Sequence, residues 1–497
     1  MIGTPAAAGL PLVGLIPAAG SGVRAYPYTR AVPKSMLLVD GAPLIQRNVE
    51  MLRDQLGIRS IVIVTGHCGD VIRDHFGDGS RFGVGITYVH NDRLDLELPY
   101  SVYLASRAIE GSHCCMVLAD ECYIDSNHGE LRAAVDRMAL VTCALIASNN
   151  PKEIRKNYAV VVHDGTIAAM QEKPPATQGG LMGAGTYVLH PDALARLRAA
   201  YEAGPESGPR DWTTWLATFC AGGHVRPFLL RGAYVNVNSR DDLNYANYLL
   251  RSRTFGERLK SLIYILDEES DAAVQPVAEF AAQPEIDEVL VVARGEFPGL
   301  AAVMHHAKVR AVFSGAPDTP PGDLVRLGMD SAIGAVLVLS YSDDTFVPSD
   351  VAKLLVYLRD ADMVVGTRTT RQMIEQSANM RGLIRTVHVL LAKLVELLWW
   401  RFEVRFTDIC CVYRALWRST YETVRGNLTS SGVEIFPELV IEVLRARKRI
   451  IEVPVNYYNR DWESPYVRSP YQRPDTLWRI LRMILRKRFE RRWWSVE

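Results

Sequence analysis

The sequence predicts an α/β protein made of two Rossmann-like, mixed-sheet domains in tandem. Three observations support this prediction. The length of 497 residues exceeds what one hydrophobic core usually organises. Short apolar runs alternate with amphipathic stretches, a pattern typical of a sheet covered by helices on both faces. The same alternation returns in the second half of the chain.

The first half supplies predicted strands and helices in turn. The strands are Val13–Pro17, Ser60–Thr65, Gly85–Val89 and Cys114–Leu118, and the helices are Pro43–Leu56 and Val71–Phe76. A hairpin follows, in which Tyr158–Val162 and Thr166–Met170 are joined by Asp164-Gly165, a dipeptide suited to a tight type I′ turn. Ligands of such sheets bind at the carboxyl ends of the strands.

The second half begins its own series of strands. They are predicted at Ser261–Leu266, Glu288–Val292, Val309–Val312 and Ala335–Leu339. Between the two series, Arg251–Lys260 is rich in basic residues and has no core pattern. We therefore expect a first domain over 1–255 and a second over 256–497.

Composition indicates little about partners. Lys+Arg 56 balance Asp+Glu 56, so net charge gives no reason to expect a nucleic acid. The 8 cysteines show no Cys-x-x-Cys pair and no Cys/His ligand spacing. We interpret them as reduced thiols of a cytoplasmic protein. The sequence leaves open whether the chain forms a homo-oligomer.

The first strand runs directly into a loop of small residues, Pro17-Ala18-Ala19-Gly20-Ser21-Gly22-Val23-Arg24, and Lys34 follows in Ala31-Val32-Pro33-Lys34. Such a loop lets backbone N–H groups approach a triphosphate, which a side chain at Gly20 or Gly22 would hinder. We therefore predict that Ala18, Ala19, Gly20 and Gly22 bind a nucleotide. Arg24 and Lys34 supply catalytic positive charge, on the β- and γ-phosphates and on the acceptor and α-phosphate respectively. A glycine-rich turn with two surface bases is the alternative.

The longer pattern resembles the signature of sugar-1-phosphate nucleotidyltransferases and their cytidylyltransferase relatives. In that signature, small-Ala-Gly-x-Gly-x-Arg precedes a Pro and a Thr, here Pro27 and Thr29, and then Pro-Lys, here Pro33-Lys34. The resemblance implies that the first domain joins a nucleoside monophosphate to a small phosphorylated acceptor with release of pyrophosphate.

Such chemistry normally needs Mg²⁺, which prefers one or two protein oxygens beside phosphate oxygens and water. Asp120 ends the apolar strand Met116–Ala119; taken alone, it is more typical of a helix cap or turn. The resemblance implies a metal ligand there. It implies a second ligand in a segment similar to Tyr234–Leu243, with Asn238 as the first choice and Asn236 as the second.

The resemblance also implies residues that contact the acceptor. Glu172-Lys173-Pro174 is similar to the Glu-Lys-Pro of the family, whose charged pair contacts the acceptor, and Lys173 suits an acceptor phosphate. A solvated charge pair is the alternative. The segment Gly183–Leu189 resembles the Gly-x-Tyr-Val strand that lines the same pocket, which makes Gly183 an acceptor-binding candidate.

One string bears on the choice of substrate. Where sugar-specific members carry Gly-x-Ala-x-Ala, this chain has Leu98–Ala105, which is more similar to the Tyr-Ser-Leu-Tyr-Leu run of bacterial phosphocholine and phosphonate cytidylyltransferases. It makes Ser101 a nucleotide-binding candidate. CTP is therefore the favoured nucleotide, with a phosphorylated or phosphonate acceptor. The alternatives are a sugar-1-phosphate uridylyl- or guanylyl-type transferase coupled to an active membrane-associated glycosyltransferase, and a nucleotide-binding scaffold subunit.

The second half resembles family 2 GT-A glycosyltransferases of the polyprenyl-phosphate type. The matching strings include Asp343–Asp350, Asp362–Arg368, Thr407-Asp408 and Ile451–Val455. The Asp-x-Asp of that family, which holds a divalent ion, reads Tyr341-Ser342-Asp343 here, so its first acid is missing. Asp267, Asp343, Asp344 and Asp408 are the candidates for a shifted metal site. A domain retained without activity is the alternative.

Two apolar segments raise the question of a membrane. Thr386–Trp400 contains His388, Lys393 and Glu396, which favours a buried or interfacial helix over a membrane span. The tail Leu477–Trp494 mixes apolar and basic residues, which predicts either an amphipathic helix on an anionic membrane or a helix docked on its own domain. We expect a cytoplasmic protein with peripheral membrane contact.

Overall fold

The computed structural model describes residues 11–20, 32–136, 138–148, 150–172, 180–266, 271–296, 298–342, 346–370, 382–399, 405–457 and 474–490. The chain divides into two compact units, Met1–Leu250 and Arg251–Glu497. In the described part of the chain, each unit has its own main sheet and its own hydrophobic core.

The first unit holds thirteen of the described strands. They are β1 (Leu12–Ala18), β2 (Leu38–Val39), β3 (Ala42–Pro43), β4 (Ser60–Thr65), β5 (Gly85–His90), β6 (His113–Val117), β7 (Glu121–Ile124), β8 (Val141–Ala147), β9 (Tyr158–His163), β10 (Thr166–Glu172), β11 (Leu181–Leu189), β12 (Val225–Leu229) and β13 (Ala233–Asn236). The helices that begin in this unit are α1 (Leu44–Asp54), α2 (Gly69–Phe76), α3 (Glu97–Ser106), α4 (Leu131–Ala134), α5 (Pro151–Ile154), α6 (Pro191–Ala200), α7 (Trp212–Ala217) and α8 (Arg240–Thr254).

The main sheet of this unit has the strand order β10-β9-β11-β6-β1-β4-β5, and β8 pairs with both β11 and β12. Strand β1 runs parallel to β4 and β6, and β4 runs parallel to β5. Strand β11 runs antiparallel to β6 and β8, which makes the sheet mixed. Because β1, β4, β5 and β6 are parallel, their carboxyl ends meet at one edge.

Side-chain alternation builds a core on each face of this sheet. Val62 and Val64 of β4 pack in one core with Leu15, and Ile63 packs in the other with Ile16. The central strands are thus covered on both faces, as continuous apolar runs indicate. In the hairpin between β9 and β10, Asp164 and Gly165 have φ values of 49° and 72°, so both take the left-handed conformation that a type I′ turn requires.

The second unit holds seven described strands and eight described helices. The strands are β14 (Lys260–Ile265), β15 (Glu288–Ala293), β16 (Val309–Phe313), β17 (Val336–Tyr341), β18 (Met363–Thr367), β19 (Arg414–Trp417) and β20 (Ile450–Pro454). The helices are α9 (Asp271–Ala281), α10 (Pro298–Met304), α11 (Pro321–Ser331), α12 (Val351–Leu358), α13 (Gly382–Leu398), α14 (Arg418–Val424), α15 (Ile435–Arg445) and α16 (Pro474–Phe489).

The two main sheets share one succession of strands. The second sheet has the order β16-β15-β14-β17-β19-β18-β20, in which β19 is antiparallel to β17 and β18, and β18 is parallel to β20. The first sheet contains the corresponding succession β5-β4-β1-β6-β11-β8-β12 with the same parallel and antiparallel relations. The predicted fold class, two mixed-sheet α/β domains in tandem, is confirmed.

Two further features bear on the sequence-based expectations. All eight cysteines are free thiols, and all of them except Cys68 are buried. Within the described ranges, we find no helix whose length and apolar character would let it cross a membrane.

Candidate active site

A cavity of about 480 Å³ lies at the carboxyl ends of β1, β5 and β6. Its size is in the range of small-molecule sites, and its position is the one expected for ligands of parallel strands. The lining residues come from the ends of these strands, from the turn at Lys34 and from the start of α3. They are Pro17, Ala18, Ala19, Gly20, Lys34, Ser35, Asn91, Leu94, Glu97, Leu98, Ser101, Leu118, Ala119 and Asp120.

Lys34 joins the two predicted metal ligands. Its Nζ donates a hydrogen bond to Oδ2 of Asp120 at 2.6 Å and another to Oδ1 of Asn238 at 2.7 Å. The side chains of Lys34 and Asp120 are 14% and 30% exposed, so the ion pair is accessible from solvent without being fully solvated. A carboxylate oxygen and an amide oxygen thus face one cation position. These are the hard oxygen ligands that Mg²⁺ prefers, so the residues fit such an ion.

Strand pairing explains why Asp120 and Asn238 meet. Strand β7 begins directly after Asp120 and pairs antiparallel with β13, so that Asn236 lies opposite Glu121. One residue further along, the N–H of Val237 donates to the carbonyl oxygen of Asp120 at 2.9 Å. This backbone contact places Asn238 beside the end of β6.

The start of α8 then fixes the backbone at Asn238. Ser239 Oγ accepts from the N–H of Asp242 at 3.2 Å, and Asp242 Oδ2 accepts from the N–H groups of Ser239 at 2.9 Å and of Asn238 at 3.1 Å. This reciprocal arrangement is a capping box. Burial tends to raise the pKa of Asp242, but hydrogen bonds from Lys156 and Ser239 outweigh it and lower that pKa. The cap is therefore charged at neutral pH.

Of the two asparagines in this segment, Asn238 is the one whose oxygen faces Lys34. Asn236 instead makes hydrogen bonds with its neighbours: its Nδ2 donates to Oδ1 of Asn157 at 3.0 Å, and its Oδ1 accepts from Nδ2 of Asn238. The geometry therefore favours Asn238, the first choice, as the partner of Asp120.

Ser101 lines the cavity together with a residue that the sequence did not single out. Asn91, which is buried directly after β5, donates from Nδ2 to Oγ of Ser101 at 2.9 Å. Its backbone N–H donates to the carbonyl oxygen of Thr65 at the end of β4. A polar residue just past a parallel strand was the signal that could have identified Asn91.

Glu121, also missed, is a buried acid next to Asp120. It is 1% exposed, and a Cβ placed on Gly185 would come within 2.6 Å of its side chain. Burial raises the pKa of Glu121 well above its usual range, and the negative charge of Asp120 raises it further. Burial and the neighbouring Asp120 therefore disfavour a negative charge on Glu121 beside the cation position.

The loop after β1 packs closely against Gly66. A Cβ on Gly66 would come within 2.6 Å of the carbonyl oxygen of Ala19, so glycine is required there for this approach. Ala18, Ala19 and Gly20 line the cavity as the nucleotide-binding prediction expects. Gly22 and Arg24 lie outside the described residues.

The structure describes two of the three predicted acceptor-binding residues, Glu172 and Gly183. Glu172 is the exposed last residue of β10, and Gly183 lies in β11, where an added Cβ would come within 1.8 Å of the ring of Tyr158. Neither belongs to the residues that line the cavity in the described part of the chain. Lys173 lies outside the described residues. Close packing against Tyr158 is the role that the structure gives to Gly183.

In the second unit, Asp267, Asp343 and Asp344 lie outside the described residues. Asp408 is 0% exposed and accepts a hydrogen bond from Nε of Arg368 at 2.8 Å. Burial tends to raise the pKa of Asp408, but Arg368 and His388 reverse this effect and lower the pKa far below its usual range. In this conformation Asp408 is a buried counter-ion. Nowhere in the described ranges do three or more His, Cys, Asp or Glu side chains gather as metal ligands.

The parallel strand ends, the loop of small residues and the cation position define a nucleotide-handling α/β domain. The family described as nucleotidyl transferase matches residues 13–233, the stretch that builds the first sheet. The chain belongs to this family through its first unit, which confirms the nucleotidyltransferase family predicted for that half.

Three relatives show the extent of the similarity. A glucose-1-phosphate thymidylyltransferase of Streptomyces griseus is 26% identical over 272 residues, which cover 54% of this chain and 73% of the relative. A UTP–glucose-1-phosphate uridylyltransferase of Pseudomonas aeruginosa is 32% identical over 209 residues, 36% of this chain and 74% of the relative. A uridylyltransferase of the same description from Synechocystis is 29% identical over 206 residues, 38% of this chain and 51% of the relative.

Proposed function

We propose that the first unit transfers a nucleoside monophosphate from a nucleoside triphosphate to a sugar 1-phosphate and releases pyrophosphate. The observation that carries this proposal is the convergence of Lys34, Asp120 and Asn238 at the edge of the strand-end cavity. The relatives named above act on glucose 1-phosphate with uridylyl or thymidylyl groups. They favour UTP or dTTP over CTP, and a sugar phosphate over the phosphonate acceptor that Leu98–Ala105 had favoured.

The reaction brings two anions together. An oxygen of the acceptor phosphate attacks the α-phosphorus, a new P–O bond forms, and the bond from the α-phosphorus to the bridging oxygen breaks as pyrophosphate leaves. The ammonium of Lys34 borders the cavity and can neutralise the crowded phosphate oxygens, where preorganised positive charge lowers the barrier. Mg²⁺, which Asp120 and Asn238 would hold, supplies further neutralisation of phosphate charge when bound.

Other residues that line the cavity are proposed to bind the phosphate chain of the nucleotide. Ala18, Ala19 and Gly20 border the cavity at the end of β1. Glu97, Leu98 and Ser101 line it from the first turns of α3, and the amino-terminal end of a helix favours anions. The loop after β1 and the first turns of α3 are therefore the two surfaces that we propose for the phosphate chain.

The test is a screen for pyrophosphate release with Mg²⁺, in which each nucleoside triphosphate is combined with sugar 1-phosphates, phosphocholine and aminoethylphosphonate. We expect release with UTP or dTTP and a sugar 1-phosphate. Release only with CTP and phosphocholine or the phosphonate would restore the cytidylyltransferase interpretation. No pyrophosphate with any pair would overturn the proposal.

For the second unit we propose a GT-A glycosyltransferase-like domain that uses the activated sugar. Support comes from the strand succession that it shares with the first unit, and from the strings Asp362–Arg368 and Ile451–Val455. Because Asp408 is enclosed with Arg368, Asp267, Asp343 and Asp344 are the candidate acids left to act on a donor diphosphate. Release of nucleoside diphosphate from a purified nucleotide sugar tests this activity, and no release with a polyprenyl phosphate acceptor present would indicate a domain without it.

We also propose that α16 lies on an anionic membrane surface. Its Ile480, Met483 and Ile484 pack in the core of the second unit. The opposite face exposes Trp478 and Phe489, at 65% and 68%, together with Leu485 and with Arg479, Arg482 and Arg486. The helix is therefore docked on its own unit and still presents apolar and basic side chains, the combination that binds anionic headgroups.

Vesicle sedimentation tests this surface. We expect the full chain to sediment with vesicles that contain phosphatidylglycerol and not with pure phosphatidylcholine vesicles. Replacing Trp478 and Phe489 with serine is expected to abolish sedimentation. The control is Ile333→Ser, which removes an equally exposed apolar side chain elsewhere in the second unit. Equal binding by the α16 variant and the wild type would exclude the proposed surface.

A further inference from the structure

We propose that Asn157 and Asn236 form an amide relay that holds the side chain of Asn238 with its oxygen toward the cation position. Both are positioning residues, since neither lines the cavity in the described part of the chain. The inference rests on the proposed function, because it concerns how the second predicted metal ligand is oriented.

An asparagine at position 238 can ligate a cation in only one of its two side-chain orientations, whereas an aspartate can do so in both. A carboxylate presents an oxygen in either orientation, whereas an amide presents an oxygen from one end and an NH₂ group from the other. Only the oxygen can ligate a hard cation such as Mg²⁺. Asn238 therefore contributes to a metal site only if its neighbours select one of its two orientations.

The relay begins at a group that has a single polarity. The backbone carbonyl of Glu153, in α5, can only accept, and it accepts from Nδ2 of Asn157 at 3.1 Å. This bond turns Oδ1 of Asn157 toward Asn236. The hydroxyl of Tyr234 donates to the same oxygen at 3.4 Å and supports the same orientation.

Each amide then determines the next. Oδ1 of Asn157 requires a donor, and Nδ2 of Asn236 supplies it at 3.0 Å. The Oδ1 of Asn236 consequently faces Asn238 and accepts a hydrogen bond from its Nδ2. The remaining end of Asn238 is Oδ1, and this is the atom within 2.7 Å of Nζ of Lys34.

The other end of the relay requires the same arrangement. The ammonium of Lys34 can only donate, so it also requires an oxygen from Asn238. Reversing any one amide would bring two donors or two acceptors face to face. Each such reversal forfeits at least one hydrogen bond and leaves a partly buried polar atom facing a group of the same polarity. The backbone carbonyl of Glu153 at one end of the relay and the ammonium of Lys34 at the other thus select a single orientation for each of the three amides.

The backbone keeps the relay in register. Asn238 lies two residues after Asn236, the last residue of β13, and its Nδ2 contacts Oδ1 of Asn236. Asn236 is held opposite Glu121 by the pairing of β13 with β7. The side chains that form the relay are partly buried, so water competes for their hydrogen bonds only in part.

The test is a double-mutant cycle with equilibrium binding of Mn²⁺ as its readout, measured by electron paramagnetic resonance on the full chain. In the wild-type background, Asn236→Ala is expected to weaken Mn²⁺ binding roughly five- to tenfold, since one orienting hydrogen bond is lost. In the Asn238→Asp background, the same substitution is expected to change binding less than about twofold, because a carboxylate needs no orientation.

The control is Asn247→Ala, which removes a partly buried amide of the same unit that bonds to the N–H of Asp40. It is expected to bind Mn²⁺ like the wild type. An equal loss from Asn236→Ala in both backgrounds would show that Asn236 is merely structural. No loss in either background would show that it does not orient Asn238.

Asp120→Ala separates failure of this inference from failure of the proposed function. If Asp120→Ala abolishes Mn²⁺ binding while Asn236→Ala leaves it unchanged, the metal site stands and the relay is wrong. If Asp120→Ala binds Mn²⁺ as the wild type does, the proposed metal site is itself wrong, and the relay is overturned with it.

Discussion

The ammonium of Lys34 lies within hydrogen-bond distance of both Asp120 and Asn238. A lysine so placed keeps a carboxylate at the rim of an anion-binding cavity from repelling phosphates. It also provides a mobile point charge that can follow a phosphate oxygen during the reaction, since the ammonium ends a flexible four-carbon stem. We therefore expect the chemistry of the first unit to depend strongly on Lys34.

Replacing Lys34 with methionine tests this role. We expect kcat for pyrophosphate release to fall roughly 10²- to 10³-fold, the effect usual for one group that stabilises the transition state. The melting temperature should stay close to that of the wild type. Lys156→Met, which removes a half-exposed lysine that pairs with Asp242 outside the cavity, should reduce kcat only slightly. Wild-type kcat in the Lys34 variant would exclude Lys34 from catalysis.

Residues in strings of several fixed positions could be singled out as site candidates from the sequence. Lys34, Ser101 and Asp120 were singled out in this way, and all three line one cavity. Asn91 and Glu121 were missed because their importance comes from contacts between distant segments. Asn91 bonds to Ser101, and the raised pKa of Glu121 comes from burial beneath Gly185. A polar residue just past a parallel strand was a local signal for Asn91, whereas no local pattern encodes the close approach of Glu121 to Gly185.

Gly183 in strand β11 lies in a string that resembles a binding motif, and in the structure it packs closely against Tyr158. An added Cβ at Gly183 would come within 1.8 Å of Cζ of Tyr158, whose ring is buried and stacks on Tyr187. The tyrosine ring therefore occupies the space that a side chain at position 183 would need. The antiparallel placement of β11 beside β9 brings these residues together.

Gly183→Ala is expected to destabilise the first unit by about 1–3 kcal/mol, the usual effect of overpacking a core. Calorimetric unfolding of the full chain measures this as a lower melting temperature. Gly85→Ala in β5 is the matched control, because the nearest atom to its added Cβ is a backbone oxygen at 3.9 Å. Equal stability of the two variants would show that β11 tolerates a side chain at this position.

Strand β20 carries a carboxyl group whose protonation links stability to pH. Glu452 accepts hydrogen bonds from the N–H groups of Thr407 at 2.9 Å and Asp408 at 2.7 Å. Burial, which these hydrogen bonds oppose, raises the pKa of Glu452 to about 7 from its ordinary value of 4.5. The folded chain therefore binds this proton more tightly than the unfolded chain does.

It follows that the contribution of Glu452 to stability is present in full below pH 4.5 and is lost as the pH rises through about 7. We expect the free energy of unfolding of the second unit, measured with urea, to decrease by this contribution as the pH rises from 4.5 to about 7. Glu452→Gln should flatten the profile there. If the variant and the wild type show the same slope between pH 4.5 and pH 7, the pKa of Glu452 is not raised.

The chain as a whole repeats one architecture, and local periodicity sufficed to predict two α/β domains. The order of strands across each sheet was beyond that prediction, because it depends on long-range pairing. The antiparallel strands β11 and β19 are the clearest examples, since each is inserted between strands that precede it in sequence.

The central claim is that the first unit transfers nucleotides through a site built on Asp120. The most direct measurement is the rate of pyrophosphate release from UTP or dTTP with glucose 1-phosphate, compared between the wild type and Asp120→Ala. Asp136→Ala, at a partly exposed ion pair with Arg226, is the control in the same unit, and Asp343→Ala is the control in the second. We predict a loss of at least about 100-fold for Asp120→Ala alone. Wild-type release by Asp120→Ala, or loss of release in Asp343→Ala, would contradict this account.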